Sequence, residues 1–229
     1  MKALLDGDVM CYRAAFACQD EAASAAQRTI DSIVTMALLS CDIDDRWYDT
    51  WQIYLTGSAN FRNTIAKTAV YKGNRTQPKP KHLPTVRKHL LQEWKAVLSK
   101  GEEADDAIAI EATKQQHQCC IVSIDKDFMQ VPCHIFNFVK REHTFIEPFE
   151  GLRNFYKQIL TGDAVDNIIG IHGIGPVKAA KLLEECTTEQ EMYNVCVEAF
   201  HGAEERVIEN GQLLWLRRQE NQIWTPPLE

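Results

Sequence analysis

The chain has 229 residues, 45% of them hydrophobic, and a formal net charge of −7, enough apolar content for one substantial core with a smaller lobe beside it. No apolar run approaches the ~18 residues of a membrane span, and Asp6 and Asp8 stand where a signal peptide would be apolar, so a cytoplasmic protein with no membrane partner is expected. Eight cysteines (11, 18, 41, 119, 120, 133, 186, 196) include no CxxC pair and no nearby His ligand pattern, which points to reduced, buried thiols and away from zinc.

In chain order, KALL (2–5) is a short apolar run stopped by Asp6, the pattern of a buried strand. A helical pattern rich in Ala, Leu, Ile and Met covers 9–39. WQIYL (51–55) reads as a second strand that stops at Thr56-Gly57. GNRTQPKPKHLP (73–84) holds three prolines, a glycine and several cations, and forms a loop or a mobile arch. Helices are expected over 84–99, opened by Pro84, and over 103–117. CCIVSI (119–124) ends just before Asp125, HIFNF (134–138) adds a further strand, and short helices take over after about residue 150. Strand and helix alternate, which predicts an α/β fold: a central, mainly parallel sheet flanked by helices, with a small C-terminal helical lobe. Ligands of such sheets collect beyond the carboxyl ends of the strands, where Asp6 and Asp125 fall.

Charge is unevenly placed. From Arg62 to Lys100 there are ten basic residues against one acid, Glu93, a local balance of +9. The rest of the chain has 15 basic and 31 acidic residues, a balance of −16. A cationic strip of this kind suits a polyanion, although a solvated basic helix face is the default for the strip alone.

Eight acids fall in four clusters: Asp6 after the first strand; Glu103, Asp105 and Asp106 opening a helix; Asp125 and Asp127 after CCIVSI; and Asp163 and Asp166 ahead of a glycine-rich turn. Each cluster alone fits a turn or a helix cap. Gathered into one cleft they would repel one another unless cations neutralised them, and all-oxygen donors favour Mg²⁺ or Mn²⁺. Two such ions ~4 Å apart are able to activate a water and stabilise the leaving oxygen of a phosphodiester. The turn itself, GIHGIGPVKAAK (170–181), feeds a helix and lets backbone N–H groups approach a phosphate.

The ordered motifs LLDGDVMCYR, YKGNR, EADD, SIDKDF and LTGDAVDNIIGIHGIGPVKAAKLL resemble the flap endonuclease and 5′-3′ exonuclease family, with its PIN-like core. The match spans residues 3–183 and is most similar to short phage-encoded 5′-3′ exonucleases, which share NFR before YKGNR and a closing segment like GQLLWLRRQENQIWTPP. The resemblance implies a nuclease core over 1–150 with a basic arch at about 72–100, and a helix-three-turn-helix lobe and tail over 151–229. It also implies a monomeric, divalent-metal-dependent hydrolase that makes 5′-phosphate products from duplex, nicked or 5′-flap DNA, with RNA–DNA hybrids as a further substrate. Asp6, Glu103, Asp105 and Asp106 match ligands of a first metal, direct or through water. Asp125, Asp127 and Asp166 match those of a second, with Asp163 a nearby family acid. Lys72 and Arg75 match the pair that contacts the scissile phosphate, and Arg13 an arginine near the 5′ phosphate. Gly173, Ile174, Gly175 and Lys178 match the helix-three-turn-helix, which grips duplex DNA and often holds K⁺.

One departure stands out: the family's aspartate at the end of the second strand is replaced by Thr56, Gly57 and Ser58. A weaker first metal site follows, which Gly57→Asp is expected to strengthen, and the alternative function is a DNA-structure-binding protein with weakened catalysis. Asp8 reads as a solvated loop residue, the alternative being that it faces the same cleft as Asp6 and compensates for the missing acid; Trp47, Trp51, Tyr71 and Phe61 read as core or lid residues, and the acidic stretch from Glu184 to Glu209 as solvated helices.

Overall fold

The computed structural model of the protein describes residues 1–41, 50–116 and 118–228. Its central strand, β1 (Lys2–Asp6), buries Ala3, Leu4, Leu5 and Asp6, as a strand covered on both faces must. With β2 (Thr50–Leu55), β3 (Val97–Leu98), β4 (Cys119–Val122), β5 (His134–Asn137) and β6 (Glu142–Phe145) it builds a sheet in the order β3-β2-β1-β4-β5-β6, every pair parallel except β5–β6. The chain passes from β1 to β2 on one side and later reaches β4 on the other. A crevice therefore opens beyond the carboxyl ends of β1 and β4.

Alternation along β1 sends Leu5 into one core and Leu4 into another. Leu5 packs with α1 (Gly7–Ala17), α2 (Ala23–Ser40) and α4 (Leu83–Gln92) through Met10, Ile30, Val34, Val86 and Leu90. Leu4 packs with α5 (Ala104–Lys114) through Ile108 and Ala109, and with Phe128 of a 3-10 turn, Lys126–Gln130. A third core, around Phe155, Tyr156 and Trp224, joins α6 (Pro148–Thr161), α7 (Pro176–Leu182), α8 (Glu189–Ala199) and α9 (Glu204–Leu214). Short α3 (Arg62–Ile65) and the pair β7 (Gly162–Asp163) and β8 (Ile168–Ile169) complete the elements.

Several expectations change. The helical pattern over 9–39 starts at Gly7, because Asp6 caps it by accepting from the Val9 N–H at 3.1 Å, and it breaks after Ala17 into two helices. The helix expected over 84–99 stops at Gln92. Lys95 takes a left-handed φ of 53°, and Val97–Leu98 pairs with Tyr54–Leu55 as an edge strand. Within the stretch expected to form the arch, 73–82 is loop, and α4 follows it and packs on α1 and α2 through buried Val86 and Leu90. EHTF of β6 is exposed along its whole length and carried no apolar run to announce it. Trp47 lies outside the described residues, and Trp51 packs edge-on against Trp94 with centroids 5.5 Å apart. All eight cysteines are buried, with no disulfide among the described residues, and no helix there is long and apolar enough to cross a membrane.

Candidate active site

A cleft of about 810 Å³ opens at the sheet's crevice, lined by Asp6, Asp8, Glu103, Asp105 and Asp125 together with Arg13, Lys72, Arg75, Lys79 and Arg87. Ser123, one residue past β4, ties two of the acids together: its hydroxyl donates to Asp6 Oδ2 at 2.7 Å and accepts from the Asp125 N–H at 3.0 Å. Asp125 in turn caps the 3-10 turn, accepting from the Asp127 N–H at 2.9 Å, while Gln158 of α6 donates to Asp127 Oδ1 at 2.6 Å. The family motif SIDKDF contains Ser123, but only its two hydrogen bonds reveal its part, and Gln158 had no signal in the sequence.

Burial and mutual repulsion set the electrostatics. Burial pushes Asp6 up to about 7, with Asp8 and Asp125 adding repulsion, and burial with Asp125 pushes Asp127 up to about 7. Asp105 and Asp125 also rise, from burial first and then from neighbouring carboxylates. Asp163 behaves oppositely: burial opposes its charge, but Lys126 at 2.9 Å and the N–H groups of Val165 and Asp166 hold its carboxyl below the usual range.

The basic loop is docked onto acids from two elements. The Tyr71 hydroxyl lies 2.7 Å from Glu103 Oε2 and 2.8 Å from Asp166 Oδ2. Lys72 pairs with Glu103 and lies 3.6 Å from Asp166, which Arg75 meets at 2.5 Å. Two further contacts fix the same register, the Lys72 N–H donating to the Asp166 carbonyl at 2.9 Å and the Asn74 side-chain amide to the Ala164 carbonyl at 2.5 Å. Tyr71, read as core, is therefore a site residue: its ring is buried but its hydroxyl bridges two acid clusters.

Asp106 is held differently from its neighbours. It is fully buried, and both its oxygens are held by the Arg62 guanidinium at 2.5 and 2.9 Å, with further donation from the Arg217 and Glu103 N–H groups. It fixes the start of α5 through the capping box with Glu103. Asp8 is no solvated loop residue either. It sits in the first turn of α1, accepts from the Thr56 N–H at 2.8 Å and pairs with Arg87.

Thr56 Oγ1 accepts from the Ala104 N–H at 3.0 Å, serving α5 at the strand end where the resemblance leads one to expect an acid. Gly57 offers no room for a replacement acid, because a Cβ there would stand 2.1 Å from the Ser99 carbonyl oxygen. Gly57→Asp is therefore expected to lower the melting temperature without lowering the Mg²⁺ concentration for half-maximal rate. A thermal melt beside a Mg²⁺ titration checks this, and a lower midpoint at unchanged stability would contradict it.

The glycine turn lies between β8 and α7. Gly173 takes φ 78°, a conformation few side chains tolerate; Ile174 N–H donates to the Ile171 carbonyl at 3.1 Å; Gly175 caps α7; and Lys178 Nζ reaches back to the Gly173 carbonyl at 2.9 Å. Arg13 is exposed on α1 and lines the cleft.

Among the described residues no three His, Cys, Asp or Glu side chains are arranged to hold a metal as they stand; Lys72, Arg75, Lys126 and Tyr71 occupy several of their oxygens. The donor set nevertheless fits hard divalent cations. Asp6, Asp105, Asp125 and Asp127 are oxygen donors whose charged forms are disfavoured in the protein alone. The raised values penalise the folded, metal-free state, for Asp6 and Asp127 fully only above about pH 7, and the penalty disappears below the unfolded value of about 4. Mg²⁺ is thus expected to raise the melting temperature more at pH 8 than at pH 5, and equal shifts at both pH values would contradict it.

The fold is that of a known structural group. It superimposes on the flap endonuclease of bacteriophage T5, solved as a pseudo-enzyme–product complex with DNA and metal ions, with a TM-score of 0.71 at 18% identity, over 93% of this chain and 88% of that one. The chain belongs to the 5′-3′ exonuclease family, whose N-terminal resolvase-like domain matches residues 1–155. The 5′-3′ exonuclease of Mycoplasma genitalium is 30% identical over 217 residues, 83% of this chain and 74% of that protein. The DNA polymerase I of Rhizobium leguminosarum is 36% identical over 135 residues, half of this chain but only 13% of the polymerase.

Proposed function

We propose that the protein hydrolyses DNA phosphodiester bonds at or near a 5′ end, as a 5′-3′ exonuclease and 5′-flap endonuclease that leaves 5′-phosphate products, in replication and repair. The observation that carries this reading is the docking of the Tyr71–Arg75 loop on Glu103 and Asp166 beside the cleft acids, which sets phosphate-seeking cations next to oxygen donors. Asp6, Glu103 and Asp105 would hold one Mg²⁺ or Mn²⁺, and Asp125, Asp127 and Asp166 a second, with Asp163 supporting the latter through its loop. When bound, the ions supply positive charge for the phosphodiester and a water made more nucleophilic.

Each remaining role belongs to a residue of this chain. Lys72 and Arg75, which meet carboxylates here, offer the scissile phosphate the same charge-assisted bonds and oppose the charge that builds on it. Arg13, on the cleft wall, takes the 5′ phosphate. The Gly173–Gly175 backbone and Lys178 hold the duplex backbone, with K⁺ in the same turn. The complex of the T5 enzyme with DNA and metal ions supports a DNA substrate. The test is a nicked duplex labelled at the 5′ or the 3′ end of the cut strand. With Mg²⁺ the 5′ label is released first and EDTA stops its release, whereas a 5′ label that outlasts the 3′ label would refute the polarity.

A further inference from the structure

Glu209, at the end of an acidic stretch that reads as solvated, is only 8% exposed. One carboxylate oxygen accepts from the consecutive N–H groups of Lys67 and Thr68, each at 2.7 Å, and the other accepts from the Thr68 hydroxyl at 2.6 Å. Arg206, one turn back on α9, meets Glu209 at 2.7 Å, reaches the Thr68 hydroxyl, and donates to the Ile169 carbonyl at 2.9 Å. Asn210 donates to the same carbonyl at 3.0 Å. Two segments of the site are thus tied to one helix: the turn running from Thr68 into Tyr71 and Lys72, and β8, which follows the Asp163–Asn167 loop. Charge-assisted bonds to adjacent backbone donors fix direction as well as distance, so a change at Glu209 tilts the segment that aims Lys72.

We propose that Glu209 is a positioning residue, which sets the placement of Tyr71 and Lys72 from α9 and thereby governs the rate of the chemical step rather than DNA affinity. The proposal rests on the reading of Lys72 given above. The experiment is a double-mutant cycle in the full chain with Mg²⁺ and 5′-flap DNA, comparing wild type, Glu209→Gln, Lys72→Met and the double variant by single-turnover rate at saturating enzyme, DNA Kd and thermal melting. Glu209→Gln is expected to slow the reaction about tenfold or more with Kd changed less than about twofold, as displacements of the order of an ångström do. In the Lys72→Met background the same change should cost nothing further. Thr68→Val, which removes the hydroxyl's bonds to Glu209 and Arg206 and keeps the two backbone N–H bonds to Glu209, should slow the reaction less and be absorbed in the same way, and it serves where Glu209→Gln fails to fold. A wild-type rate for Glu209→Gln or Thr68→Val beside a slow Lys72→Met overturns the positioning role and leaves the reading of Lys72 intact. The same rate factor in both backgrounds also overturns it. A wild-type rate for Lys72→Met removes the reading on which it stands.

Discussion

Asp105→Asn is expected to lower Mg²⁺-dependent cleavage by roughly a thousandfold or more and, without metal, to stabilise the protein at alkaline pH. The first effect follows from removing a carboxylate that lines the cleft, since charge stabilisation there is worth several kcal/mol. The second follows from the site's electrostatics. Burial, then Asp6, Asp125 and Glu103, raise the Asp105 carboxyl well above the ordinary carboxylate range. Its penalty on the folded state is complete above that raised value and absent below about pH 4. Asparagine keeps the shape and removes the charge, so the gain in melting temperature should be present at pH 8 in EDTA and fade towards pH 4. A variant less stable than wild type at pH 8 would contradict this, as would near-normal cleavage.

The largest loss of stability is expected from Arg62→Met. Arg62 is 2% exposed and Asp106 fully buried, and besides that pair the guanidinium donates to the Leu213 carbonyl at 2.8 Å and the Trp215 carbonyl at 3.0 Å. It thereby joins the start of α5 to the end of α9, next to Glu103 at 3.8 Å. Removing one partner of a buried pair leaves the other charge uncompensated, at about 3–5 kcal/mol, which in a chain of this size lowers the melting temperature on the order of 10 °C. Arg62→Met with Asp106→Leu should recover a large part of that loss, because no unpaired charge remains. Urea unfolding of both variants decides it: a single variant within about 1 kcal/mol of wild type would show that the pair contributes little.

What was legible in the sequence was whatever a local pattern carries. KALL and CCIVSI are apolar runs closed by acids, and a parallel sheet puts such closures in one crevice, so Asp6 and Asp125 were found from strand ends alone. YKGNR and EADD came from motif order. What escaped depends on partners far along the chain. Asp106 looks like its neighbour Asp105 in sequence, but Arg62, 44 residues earlier, takes both its oxygens. Gly57 reads as a missing acid, and only the Ser99 carbonyl against it leaves no room for one. Tyr71 is buried, as read, and only its hydroxyl's position between Glu103 and Asp166 makes it part of the site. Glu209 sat in an acidic run whose other members gave no reason to single it out.

The central claim is that these acids and cations cut DNA and do not merely bind it. It is tested most directly by cleavage of internally labelled 5′-flap and blunt duplex DNA across a Mg²⁺ titration, for the protein and its Asp127→Asn variant. Mg²⁺-dependent products are expected, and the variant should lose them while its DNA affinity persists. Tight binding without product at any Mg²⁺ or Mn²⁺ concentration would contradict it and leave a DNA-structure-binding protein.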